Sequence, residues 1–222
     1  MFGRSVKIAA AALVAAGALA GCGDAPKPGT AAIVGDDRIT VTSLSQTVRD
    51  WRTQFKNDAL ANRIRAGAAG QGDQLGTEAG ESDLRMALTL LVNFQVVERL
   101  AKEQGVAVPD GRTDDVLREM NQQPGGATSI TLASGLPGDR SRDLARFVAT
   151  KRLLLERLGS DGNPQSPATM QAGQRYTQLI RGTAGRLHIE VNPRYGTFDP
   201  LRGNVGQVAY RLSSPESGLD RS

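Results

Sequence analysis

The two side chains most used for nucleophilic and proton-transfer chemistry occur once each in this 222-residue chain, as Cys22 and His188. A single histidine leaves no His-rich metal site, and a Ser–His–Asp triad would need His188 as its base. His188 lies in Leu187-His188-Ile189-Glu190-Val191. That alternation reads as a half-buried strand with His188 and Glu190 facing out, so His188 is expected to be a surface strand residue. Tyr195 and Asp199 could exchange a proton, but tyrosine and aspartate in a turn are commonplace. The Gly-rich stretch from Gly67 to Gly80 lacks a Gly-Lys-Ser/Thr ending and is no phosphate cradle. The chain is therefore expected not to be an enzyme, with no cofactor, no metal and no nucleotide. Cys22 has a different setting. It follows Leu19-Ala20-Gly21 at the end of a segment with Arg4 and Lys7 in front and an apolar run from Ile8 to Ala20. A positive start, an apolar stretch and small residues at the end are the layout of a secretory signal peptide. The run is shorter than the roughly 20 apolar residues of a comfortable membrane span.

The Leu19-Ala20-Gly21-Cys22 ending resembles the lipobox of bacterial lipoproteins. The resemblance implies that the Cys22 thiol is alkylated with diacylglycerol and that cleavage leaves Cys22 as the new N-terminus. Residues 1–21 are then a lipoprotein signal peptide and residues 22–30, rich in Pro and Gly, a lipidated tether. The protein would be anchored in a cell membrane through its lipid, on the extracytoplasmic face. With its one thiol consumed, the chain has neither a disulfide nor Cys–His catalysis. Of 27 basic residues, Arg4 and Lys7 leave with the signal, so the balance against 23 acidic residues falls to +2. That mild charge argues against a nucleic-acid partner. Aromatic residues make up only 4% of the chain, so the core must be aliphatic.

These sites need a frame. Ala31 to Val34 reads as a short strand, with a Gly35-Asp36-Asp37 turn and a brief return at Ile39. Thr40 or Thr42 can cap the helix that follows. Val41, Leu44, Val48, Trp51 and Phe55 form one apolar stripe of that helix. Residues 66–82 show no period and read as a mobile loop. Ser82 then caps the strongest helix, Asp83 to about Gln104. Its stripe runs through Leu84, Leu88, Leu91, Phe94, Val97 and Leu100, widened by Leu90, Val92 and Val96, and Gly105 ends it. Val106 to Asp110 is a short extended link. Further helices are expected at about 113–121, 139–158 and from Pro167 to about Arg181. Gln123-Pro124-Gly125-Gly126 breaks the first of these. The strand at 187–191 follows, and the chain beyond Phe198 reads as a disordered tail. The fold class is thus mainly α, about five helices, closed by a small β pairing of the N-terminal and C-terminal strands. Isolated strands cannot satisfy their backbone groups alone, so Ile33 or Val34 should lie within a few ångströms of Ile189.

The order of these elements, with Ala32-Ile33-Val34-Gly35-Asp36-Asp37-Arg38-Ile39-Thr40 at its start, resembles the N-terminal chaperone domain of the SurA/PrsA group of envelope folding factors. Glu103-Gln104-Gly105-Val106, Gly135-Leu136-Pro137 and Val191-Asn192-Pro193-Arg194-Tyr195-Gly196 continue the likeness across residues 31–200. Residues 201–222 are then a flexible tail. The parvulin-type isomerase domain of many relatives is not carried over, because only about forty residues follow Arg181, near the limit for an unaided domain. What the resemblance implies is a SurA-N-like binding module for unfolded or newly secreted polypeptides, working without ATP. The large apolar side chains Trp51, Phe55, Phe94 and Phe147 are the candidate client-binding residues, with plain core packing as the competing reading of each. The alternative function is a structural or regulatory lipoprotein that docks one dedicated envelope partner.

Overall fold

The computed structural model describes residues 28–69 and 81–207. Cys22, the signal segment, most of the tether, the middle of the 66–82 stretch and the end of the tail lie outside them. Strand β1 (Thr30–Val34) pairs antiparallel with β2 (Asp37–Thr40). Gly35 makes the turn with φ +59°, and a β-carbon there would press on Leu187 at 3.3 Å. On its other edge β1 pairs antiparallel with β3 (Ile189–Val191), placing Val34 directly opposite Ile189 and Ala32 opposite Val191. The expected closure of the two chain ends is therefore present. Asn192 extends it, its side-chain amide donating to the Thr30 carbonyl at 3.0 Å.

Helix α1 (Val41–Phe55) starts where expected, and Thr40 is the cap: its hydroxyl accepts the Ser43 N–H at 3.0 Å. Leu44, Val48 and Trp51 are its buried stripe. Helix α2 (Ala59–Ala69) corrects the loop expectation, which began at residue 66. Asp58 caps it by accepting the N–H groups of Leu60 and Ala61 at 3.0 and 2.8 Å. Ala61, wholly buried, is its anchor. A helix held by one alanine shows little apolar period, although its alanines favour helix.

Helix α3 (Glu81–Glu103) is the central element, beginning two residues before the expected start. It packs on α1, the sheet and the helices Ser141–Arg157 and Pro167–Arg186. Val92 and Val96, expected only to widen its stripe, are fully buried, whereas Phe94 stays partly exposed. Gly105 ends it at φ +64°, with the Val106 N–H reaching back to the Ala101 carbonyl at 2.8 Å. Helix α4 (Asp110–Gln122) starts three residues early, directly after Pro109. The Gly125-Gly126 break stands, but α5 (Gly126–Ala133) restarts at once in a stretch where spacing indicated no element. Gly125 adopts φ +82°, and a β-carbon there would strike Ser129.

A 3-10 turn (Gly138–Arg140) leads into α6 (Ser141–Arg157). Helix α7 (Pro167–Arg186) carries Pro167 in its first turn and runs five residues past the expected end. Ion pairs Arg112–Glu156, Arg142–Asp114 and Arg152–Glu119, at 2.6–2.7 Å, bridge α4 and α6. All are exposed, so each contributes at most about 1 kcal/mol, and their role is to fix register.

The tail expectation also needs correction. Residues 197–206 form a hairpin, β4 (Thr197–Asp199) with β5 (Asn204–Gly206). It lies on α3: the Val205 N–H donates to the Thr89 hydroxyl at 2.9 Å, and Asn93 donates to the Gly203 carbonyl at 2.8 Å. Its partners sit over a hundred residues upstream, so local sequence carries no sign of them. Residues 208–222 lie outside the described structure. The fold is mainly helical, with seven α-helices and two small antiparallel sheets among the described residues, rather than five helices and one pairing. None of these helices is long and apolar enough to cross a membrane.

Candidate functional site

The four aromatic candidates fall into two separate pairs. Trp51 is 4% exposed, and its indole N–H donates to the Leu132 carbonyl at 2.7 Å. Phe55, one turn on, stacks against it with centroids 5.0 Å apart. The Arg65 guanidinium of α2 lies over both rings, at 5.0 and 5.3 Å. Burial pushes the Arg65 pKa down, while Asp83 works against that shift. The Trp51 indole is thus part of the core between α1, α3 and α5, sealed by a cation.

Phe94 of α3 and Phe147 of α6 form the second pair, with centroids 4.9 Å apart. They differ from the first in what lies beside them. Where α3 and α6 diverge, a cleft of about 450 Å³ opens, walled by Phe94, Val97, Ala101, Val106, Val108 and Phe147. The third wall is the link from Val106 to Pro109, which joins α3 to α4. By sequence alone that link reads as a connector only. Its one signal was a pair of valines flanking an alanine in a segment too short to bury them itself.

Charge rims the apolar floor. Glu98 and Lys102 stand on the α3 side, 3.8 Å from each other. Asp143 and Arg146 stand on the α6 side, and Asp143 is already paired with Arg140 at 3.2 Å. Arg146 makes no ion pair with any described residue. Nearby, between α6 and α7, Tyr176 sits under Lys151, and burial raises its hydroxyl pKa to about 12. Glu103, at the end of α3, accepts from Thr183 and Arg186 of α7 at 2.9 and 2.8 Å. Burial pushes its pKa up, but the hydrogen bonds from Thr183, Arg186 and Arg99 outweigh that and hold the carboxyl low.

The residues weighed for acid–base chemistry each have other partners. His188 is exposed as expected but lies just before β3, which begins at Ile189 and not at Leu187, and its ring contacts the Glu190 carboxylate at 2.7 Å. Tyr195 is buried in the sheet-side core. Asp199 accepts the Leu201 and Arg202 N–H groups and so shapes the β4–β5 turn. No cluster of three or more His, Cys, Asp or Glu suited to a metal occurs among the described residues. What the site can do chemically is bind: an apolar side chain can enter the cleft beside the Phe94–Phe147 pair while the rim contacts polar groups. No protein-family model, curated protein or solved structure matches the chain.

Proposed function

We propose that this chain is a lipid-anchored, extracytoplasmic chaperone-like protein, with a fold of the SurA N-terminal kind, that holds unfolded or newly secreted polypeptides without ATP. The observation that carries the reading is the open cleft beside the Phe94–Phe147 pair, where apolar side chains of α3, α6 and the Val106–Pro109 link line an accessible trough. Apolar clefts of this size, rimmed by a few polar groups, are the usual form of a binding site. The strand closure around Val34 and Ile189 agrees with the order of elements on which the family likeness rests. Anchoring follows from Leu19-Ala20-Gly21-Cys22, since two acyl chains on one cysteine give a stable membrane hold.

The test is suppression of aggregation. The purified protein, mixed at near-stoichiometric ratio with an unrelated unfolding protein, should reduce light scattering. Ala107→Trp, at an exposed position on the cleft wall, should fill the trough and weaken the effect without cutting into the core. Absence of suppression by the wild-type protein would favour a lipoprotein that docks one dedicated partner.

A further inference from the structure

Two features of the cleft narrow what it would hold. The first is backbone. The N–H and C=O groups of Ala107 and Val108 make no hydrogen bond to any described residue, and Ala107 is exposed. A run of unpaired peptide groups beside an apolar trough offers an extended chain the same donors and acceptors as a sheet edge. The second is charge. Glu98 faces Lys102 and Asp143 faces Arg140, which leaves the Arg146 guanidinium as the rim's unpaired charge. A carboxylate is its complement.

We infer that the cleft recognises an extended polypeptide segment in which a bulky apolar side chain is followed closely by an acidic residue. The segment's backbone pairs along Ala107 and Val108, the apolar side chain lies in the cleft against the wall that Phe94 and Phe147 form, and the carboxylate meets Arg146. This rests on the holding function proposed above and adds to it a binding mode and a charge preference. Strand-like pairing supplies affinity for any sequence, and the pocket with its one cation supplies selection. An exposed ion pair is typically worth about 0.3–0.7 kcal/mol, so exchanging attraction for an equal repulsion changes affinity by roughly three- to tenfold.

The experiment measures fluorescence polarisation of three labelled, otherwise Gly/Ser-rich peptides on the full-length protein. One carries a phenylalanine followed by an aspartate, the second has lysine for the aspartate, and the third is the first N-methylated on the backbone around the phenylalanine. The aspartate peptide should bind about three- to tenfold tighter than the lysine peptide, and N-methylation should cost at least as much. Arg146→Glu, at an exposed position, should invert the charge preference with the melting temperature unchanged. The inference is overturned if Arg146→Glu leaves the preference intact, if the N-methylated peptide binds equally well, or if oleate occupies the cleft and excludes the peptides. Suppressed aggregation without such selectivity would sink the inference alone. Loss of both would sink the holding function with it.

Discussion

Replacing Trp51 by phenylalanine separates a role in the fold from a role at the binding surface. Phenylalanine keeps the stack on Phe55, whose centroid lies 5.0 Å away, but removes the donor to the Leu132 carbonyl. That carbonyl retains the Gly135 N–H at 3.1 Å, so it is not orphaned, and the loss is that of one ordinary hydrogen bond, about 0.5–1.5 kcal/mol. The smaller ring leaves a void that adds on the order of 1 kcal/mol. The two together give about 1.5–2.5 kcal/mol. For a chain of this size each kcal/mol lowers Tm by about 2–4 °C, so the expected drop is roughly 3–10 °C. Trp51→Ala should cost about 3–5 kcal/mol and drop further. Circular dichroism melts at the helix band measure both variants. Below its melting temperature, Trp51→Phe should bind the aspartate peptide as the wild type does. A Tm unchanged within about 2 °C, or lost binding at unchanged Tm, would refute the assignment of Trp51 to the core.

Three further outcomes are expected. Gly196 has φ +127°, and a β-carbon there would collide with the Gly206 carbonyl. Gly196→Ala should therefore detach the β4–β5 hairpin; hydrogen exchange at the Val205 amide should accelerate at least about tenfold, and unchanged protection would contradict the packing described. The Asp58 pKa is lowered from 3.8, first by the Ala61 N–H and then by the Ser129 hydroxyl. A depressed acid contributes stability that is complete above its unfolded value and lost as pH falls through its folded value, so the cap on α2 should weaken below about pH 4. Asp58→Asn, still a capable cap, should flatten that part of the stability profile in acid titrations followed by circular dichroism. Cys22→Ser should release the protein from membranes or leave the precursor uncut, as read by fractionation and intact mass. Membrane retention with the signal removed would count against lipidation.

Elements that bury a continuous stripe were legible from sequence. Leu44, Val48 and Trp51 mark α1, and Leu88 and Leu100 mark α3, because each turn contributes a large side chain. The pairing of Val34 with Ile189 followed from the need of two lone strands for partners. Helix α2 escaped notice because its burial rests on Ala61, whose small side chain leaves little amphipathic trace. The β4–β5 hairpin escaped because Thr89 and Asn93 of α3 complete it. At the candidate site, Phe94 and Phe147 were legible as large apolar residues. Their separation from Trp51 and Phe55 was not, since both pairs lie on good helical stripes and only tertiary packing decides which stripe is covered. Arg146 gave no signal, because an unpaired arginine is recognised only after its neighbours' partners are known.

The placement of β1 between β2 and β3 bears on how the molecule carries force. A pull on the residues ahead of Thr30 enters the middle strand of three. Where that pull runs along the strand, it loads the ladders at both edges together, so the bonds share it in shear instead of opening one after another from an end. The Asn192 side chain at the Thr30 carbonyl adds a further tie at the point of entry. The helices from α1 to α7 lie within the loop that this strand closes. A molecule hung from its N-terminal end would thus hang from the most heavily cross-tied strand of its sheet.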